Sequence, residues 1–161
     1  MTEREIIAAR LQSAMHECAK HHKWLQEAWA DAVAIPALQG DSPDELTGTE
    51  MRILDQLVFR FGRLQDAMGT RFLPFLLQYF PEWREHEPFL DTLNRAEKWD
   101  MIPSANQWVE LRKLRNQTAH EYPEQPEWVM TNLRNLVANT PLLLEIHTHM
   151  VAWMEKNIQA T

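Results

Sequence analysis

The sequence predicts an all-α fold, an antiparallel up-and-down bundle of about five helices in a single domain covering residues 1–161. Apolar residues recur at intervals of three and four, and no stretch alternates with the period of two that marks a strand. Prolines and capping residues divide the chain at helix-length intervals. Only four glycines occur, too few for the many turns of a β architecture. With 161 residues and 45% hydrophobic composition, the chain is long and apolar enough to bury one core. Its seven tryptophans can each bury ~150–250 Å².

The first helix begins at Thr2, which forms a capping-box pair with Glu5. Ile7, Leu11, Ala14, Cys18, Leu25 and Ala28 carry its apolar stripe to about Ile35, where Pro36 stops it. After the loop "LQGDSPDEL", Ser42 is placed to cap a second helix, with Pro43 first in the helix and Glu45 reciprocating. Leu54, Leu57, Phe61, Leu64 and Met68 form its stripe. Gly69 interrupts, Pro74 should kink the continuation "RFLPFLLQYF", and Pro81 ends it. Pro88 opens a third helix through "FLDTLNRAEKW". Ser104 caps a fourth, with Gln107 at the reciprocal position, and this helix runs to Pro123. A fifth starts near Pro126 and extends to about Asn157, with Pro141 expected to bend or break it. The short loops keep successive helices adjacent.

The formal charge is −7. That argues against broad coating of nucleic acid, which needs many phosphate contacts, but leaves room for a small basic cleft. Between Trp108 and Tyr122, Arg112, Lys113 and Arg115 outnumber Glu110 and Glu121. A single cysteine, Cys18, excludes an internal disulfide framework and fits a reducing cytoplasm. The opening "MTEREIIAAR" has no apolar run of the signal-peptide kind, and nothing approaches the ~20 apolar residues of a membrane span. A cytoplasmic protein without membrane association is expected.

On the fourth helix, Trp108, Leu111, Arg115, Thr118 and Tyr122 follow one face. Arg115 stands where an apolar residue would be cheaper, so it needs an anion or a wet groove. His120 lies five residues on, about 140° around an ideal helix, and converges with Arg115 only if the helix end loosens or a second chain contributes. The plain reading is equally simple. Arg115 pairs with Glu110 or with an acid on a neighbouring helix, His120 favours the helix C-terminus when protonated, and Tyr122 packs on Pro123.

The stretch "RNQTAHEY" resembles the R-x4-H-x-Y motif of HEPN-domain proteins, helical toxins encoded beside minimal nucleotidyltransferases. "FLDTLNRAEKWDMIPSANQWVELRKLRNQTAHEYP" is similar to the third and fourth helices of the nucleotidyltransferase substrate-binding-like branch, and "RFGRLQDAMG" to the segment before them. The resemblance implies a metal-independent endoribonuclease without a cofactor, working as a homodimer with two motifs facing across the two-fold axis. By it, His120 is the general acid/base, Arg115 holds the phosphate and Asn116 orients the site. An imidazole of ordinary pKa ~6.5 can transfer protons near neutrality, and a guanidinium fork suits phosphate oxygens. The resemblance also implies a minimal nucleotidyltransferase antitoxin as partner, adding AMP to Tyr122 and so silencing RNA cleavage. The other class it leaves open is a non-catalytic helical module that binds a nucleotidyltransferase or a nucleotide in the same groove.

Elsewhere, Arg60, Arg63 and Asp66 in "RFGRLQD" read as a solvated face, with Arg63 and Asp66 paired. Alternatively this helix faces Arg115 and, with Arg112 and Lys113, binds RNA. In "HECAKHH", His16, Cys18, His21 and His22 cannot all converge on a metal, and His147 and His149 lie ~200° apart on their helix. No metal site is expected. Trp83, Phe89, Trp99 and Trp108 are expected to fill the bundle, although aromatic residues also suit a dimer interface.

Overall fold

A computed structural model describes residues 1–81, 83–120 and 124–158. Helix α1 (Glu3–Val33) starts with the expected capping box: the Thr2 hydroxyl accepts the Glu5 N–H at 3.1 Å, and the Glu5 carboxylate accepts the Thr2 N–H at 2.9 Å. Leu11, Ala14, Cys18, Leu25, Ala28 and Ala32 form its buried stripe. The chain then passes through two short 3₁₀ segments, Pro36–Gln39 and Pro43–Glu45.

Ser42 caps the second of these segments, accepting the Asp44 N–H, and the long helix starts later than expected. Helix α2 (Gly48–Ala67) opens at a second capping box, where Thr47 and Glu50 each accept the other's backbone N–H. That arrangement satisfies two otherwise orphaned donors, whereas Pro43 only removes one. Leu46, between the two candidate starts, is buried and fixes the entry of the chain.

Helix α2 continues into a π-helical turn, Met68–Phe72, and then α3 (Leu73–Leu77), so the three form one rod. The widened turn is the interruption expected between Gly69 and Pro74. A Cβ on Gly69 would sit 3.0 Å from the Trp108 ring and 3.4 Å from Phe89, so the missing side chain is what lets that indole pack. Helix α4 (Phe89–Lys98) follows Pro88 and ends near Asp100, whose φ of 62° lies in the left-handed region. Helix α5 (Ala105–Thr118) is capped by Ser104, which accepts the Gln107 N–H. Helix α6 spans Pro126–Asn157.

Pro141 does not break α6. Proline supplies no N–H, so the carbonyl of Val137, one turn earlier, lacks its helical donor. The indole Nε1 of Trp29 on α1 donates to that oxygen at 2.9 Å. The helix therefore survives because a neighbouring helix provides the missing hydrogen bond.

Cross-helix contacts set the directions. Arg4 stacks on Tyr79, Arg71 donates to Glu17, and Arg60 meets His21, so α1 and the α2–α3 rod run antiparallel. His22 meets His147 and Trp29 meets Val137, so α1 and α6 do too. Leu54, Leu57, Phe61, Leu64 and Met68 are all buried in the core that also holds Trp108 and Leu111. Trp108 is 2% exposed, while Trp83, Trp99 and Phe89 pack at the margin of the core. The described residues contain helices and no strand, and no helix among them is long and apolar enough to cross a membrane.

Candidate functional site

The end of α5, the face of α2, the start of α6 and the Ser42–Asp44 loop enclose an open groove of about 810 Å³. Arg115, His120, Arg63 and Asp66 supply its charged and titratable lining, together with Asp44 and Asp55. Met51, Val58, Phe59, Val129 and Leu133 supply apolar walls. Arg115 crosses α2 over Gly62, where an added Cβ would lie 3.2 Å from the guanidinium Nε. Its Nη2 donates to Asp66 Oδ2 at 2.8 Å. The two side chains keep 32% and 48% of their exposure, so water and ions compete for this pair.

His120 joins Arg115 because α5 ends before it. The helix stops at Thr118, whose hydroxyl donates to the carbonyls of Leu114 and Arg115, and Ala119 caps by bonding back to the Arg115 carbonyl. Beyond that point the ideal 140° separation no longer applies, and His120 lines the groove alongside Arg115. His120 also borders a shallower depression of about 520 Å³ with Asn116, Arg112 and Lys113. Arg112 is stacked 5.5 Å from the Phe89 ring centroid.

The residues singled out from sequence therefore divide. Arg115, His120 and Arg63 share the groove, whereas Asn116, Arg112 and Lys113 line the adjacent depression. Arg60 lines neither and lies 3.3 Å from His21 Nδ1. Tyr122 lies outside the described residues. The expected Arg63–Asp66 pair does not form: Asp66 takes Arg115 instead, because the arginine on α5 can lie flat over Gly62 to reach it. Two contributors went unnoticed in the sequence. Gly62, a glycine inside a helix, was a visible signal, and so was Phe59, an aromatic off the Leu57–Phe61–Leu64 stripe and 49% exposed at the rim.

A second polar meeting lies within the bundle. His22 Nδ1 and His147 Nδ1 are 2.8 Å apart, so one ring donates to the other. His147 is 5% exposed and its Nε2 is buried without a hydrogen-bond partner. Burial, followed by the neighbouring His22, pushes the His147 pKa down to about 4, and burial lowers that of His22. Cys18 is buried one turn before His22, and burial, with a smaller push from Glu17, raises its thiol to about 12. Its thiolate, the form that attacks or ligates, is therefore suppressed at neutral pH. Among the described residues, no three His, Cys, Asp or Glu side chains converge as a metal-holding group.

Comparison with protein-family models, with curated proteins and with solved structures returns no match.

Proposed function

We propose that the chain is a HEPN-like, metal-independent endoribonuclease that acts as a homodimer. The observation that carries this reading is the placement of Arg115 and His120, five residues apart across a helix end, in one solvent-open groove. Each subunit supplies one imidazole and one guanidinium in the motif, and a two-fold axis doubles both. One His120 takes the proton from the ribose 2′-OH as that oxygen bonds to phosphorus. The other gives a proton to the 5′-oxygen as its bond to phosphorus breaks. Arg115 holds the phosphate and neutralises the charge that builds on its oxygens. The products are a 2′,3′-cyclic phosphate and a free 5′-hydroxyl. Asp66 occupies Arg115 until phosphate displaces it.

Restraint by a minimal nucleotidyltransferase that transfers AMP to Tyr122 completes the proposal. An anion two residues from His120 blocks the groove and repels RNA. Intact mass after exposure to such a partner and ATP tests this, with Tyr122→Phe expected to remain active and unmodified. Cleavage itself is tested with defined RNAs in EDTA. Wild type should leave cyclic-phosphate ends, and His120→Ala should lose at least about a hundredfold in rate. Equal cleavage by both proteins removes the assignment.

The apolar wall of Met51, Val58, Val129 and Leu133 favours a second reading, a non-catalytic module that docks a nucleotidyltransferase or a nucleotide. Growth under induced expression separates the two. Toxicity relieved by Arg115→Ala or His120→Ala belongs to the nuclease, and harmless expression with tight partner binding belongs to the module.

A further inference from the structure

Beside the groove, α1 and α2 present two exposed aromatic rings interleaved with cations. Trp24 is 42% exposed, the one tryptophan among the described residues left largely open, and Phe59 is 49% exposed. The Arg60 guanidinium carbon lies 5.9 Å from the Trp24 ring centroid and 5.2 Å from that of Phe59. Arg63 covers Phe59 at 5.1 Å, and Lys23 lies 5.4 Å from Trp24. Among the described residues, none of these three cations pairs with a carboxylate. The nearby Glu17 is engaged by Arg71 and His21. Phe59 and Arg63 also line the groove that holds Arg115 and His120, so ladder and groove form one surface.

We propose that Trp24, Phe59, Arg60 and Arg63 form a stacking platform for single-stranded RNA, leading the strand into the groove. The inference deepens the nuclease reading by naming the form of substrate, and it rests on that reading for the identity of the groove. Aromatic faces and guanidinium planes hold unstacked bases, while cations track the phosphates. A duplex hides its base faces within its own stack and offers phosphates, 2′-hydroxyls and groove edges, none of which stacks on a ring. A second copy of this chain seated on the ladder itself would set Lys23, Arg60 and Arg63 against their like with no anion between them. A polyanion with flat, exposed rings complements both features.

The test uses the His120→Ala chain, so that bound RNA stays intact, and fluorescence anisotropy with a labelled oligonucleotide of roughly ten nucleotides. Adding Trp24→Ala and Phe59→Ala should weaken single-strand binding about a hundredfold, roughly tenfold per ring, and leave weak duplex binding unchanged. Adding Arg60→Gln and Arg63→Gln instead should flatten the slope of log affinity against log salt by about 1.4. Both ring positions are exposed, and circular dichroism checks that the helices persist. Unchanged single-strand affinity in the ring variant overturns the platform even if wild type cleaves RNA. So does loss of dimerisation in that variant with RNA affinity intact, which marks the patch as a protein interface. Binding that collapses as expected, in a chain that never cleaves, upholds the platform and removes the nuclease.

Discussion

Two of the places where polar side chains from different helices meet, one at the groove and one in the interior, are built in opposite ways. At the groove, Arg115 and Asp66 meet at 2.8 Å with a third to a half of each side chain in solvent. In the interior, His22 and His147 meet at the same distance with His147 almost wholly buried. Charge survives at the first because water screens it, and the pair can be exchanged for another partner. Burial drives charge out of the second, leaving neutral rings that hold α1 to α6. The exchangeable pair suits ligand binding, and the neutral pair suits architecture.

The sharpest way to break that contrast is acid. An unfolded histidine takes up its proton near pH 6.5, whereas His147 in the fold does so only at about 4. At pH values above 6.5 neither state is charged there. Between about 6.5 and 4 the unfolded chain gains protons that the folded chain refuses, so stability falls as pH falls. The full shift corresponds to roughly 3 kcal/mol. Thermal melts of wild type should lose stability across this window, and His147→Leu should lose much less. The window lies mostly above the range in which Glu17 titrates, since its hydrogen bond to Arg71 lowers that carboxyl further. An identical acid limb in both proteins would show that His147 is already charged in the fold.

The same seam is tested next by removing its other polar bond. Trp29→Phe strips the donor from the Val137 carbonyl and should cost about 1–2 kcal/mol in denaturant melts. In a Pro141→Ala background, residue 141 regains an N–H for that carbonyl, and Trp29→Phe should cost less. Equal cost in both backgrounds would mean that the indole contributes packing alone.

At the groove, Gly62→Ala sharpens the comparison from the permissive side. Alanine in a helix is favoured over glycine by about 0.5–1 kcal/mol. The new methyl must move Arg115, a third of whose side chain is in solvent, by only a few tenths of an ångström. We expect a small rise in melting temperature together with weaker RNA cleavage, because the guanidinium no longer lies flat. A drop in both would indicate a groove as unforgiving as the core.

These contrasts also explain what could be read in advance. Capping at Thr2 and Ser104, the buried stripes and the bounds of α6 rest on local chemistry, so sequence spacing reveals them. The start of α2 was misplaced because Ser42 and Thr47 both offer good caps, and the burial of Leu46 between them is a tertiary matter. Arg115 stood out as a charge on an apolar face, yet nothing local distinguished Asp66 from Glu110 as its partner. His22 and His147 are separated by 125 positions, and Trp29 and Val137 by 108, so neither pairing leaves a mark in spacing. Trp24 and Phe59 are a different case: both lie off the apolar stripes of their helices, Phe59 on the face opposite Leu57 and Phe61, so spacing alone marks them as exposed aromatics.

The smallest expected effect concerns Asp66. Its ion pair with Arg115 is half-exposed and worth about 0–1 kcal/mol, so Asp66→Asn should barely change the melting temperature. Its functional consequence follows from competition. On the proposed nuclease reading, the carboxylate of the resting groove holds the guanidinium edge that a substrate phosphate would take, and each binding event would break that contact. Asparagine is nearly the same shape but neutral, so it should release Arg115 more readily and lower KM for RNA a few-fold, with kcat little altered. The effect should shrink with added salt, which already screens the pair in wild type. A rise in KM would reverse the inference: Asp66 would then be positioning Arg115 for phosphate, and the surface pair would be as architectural as the two histidines inside.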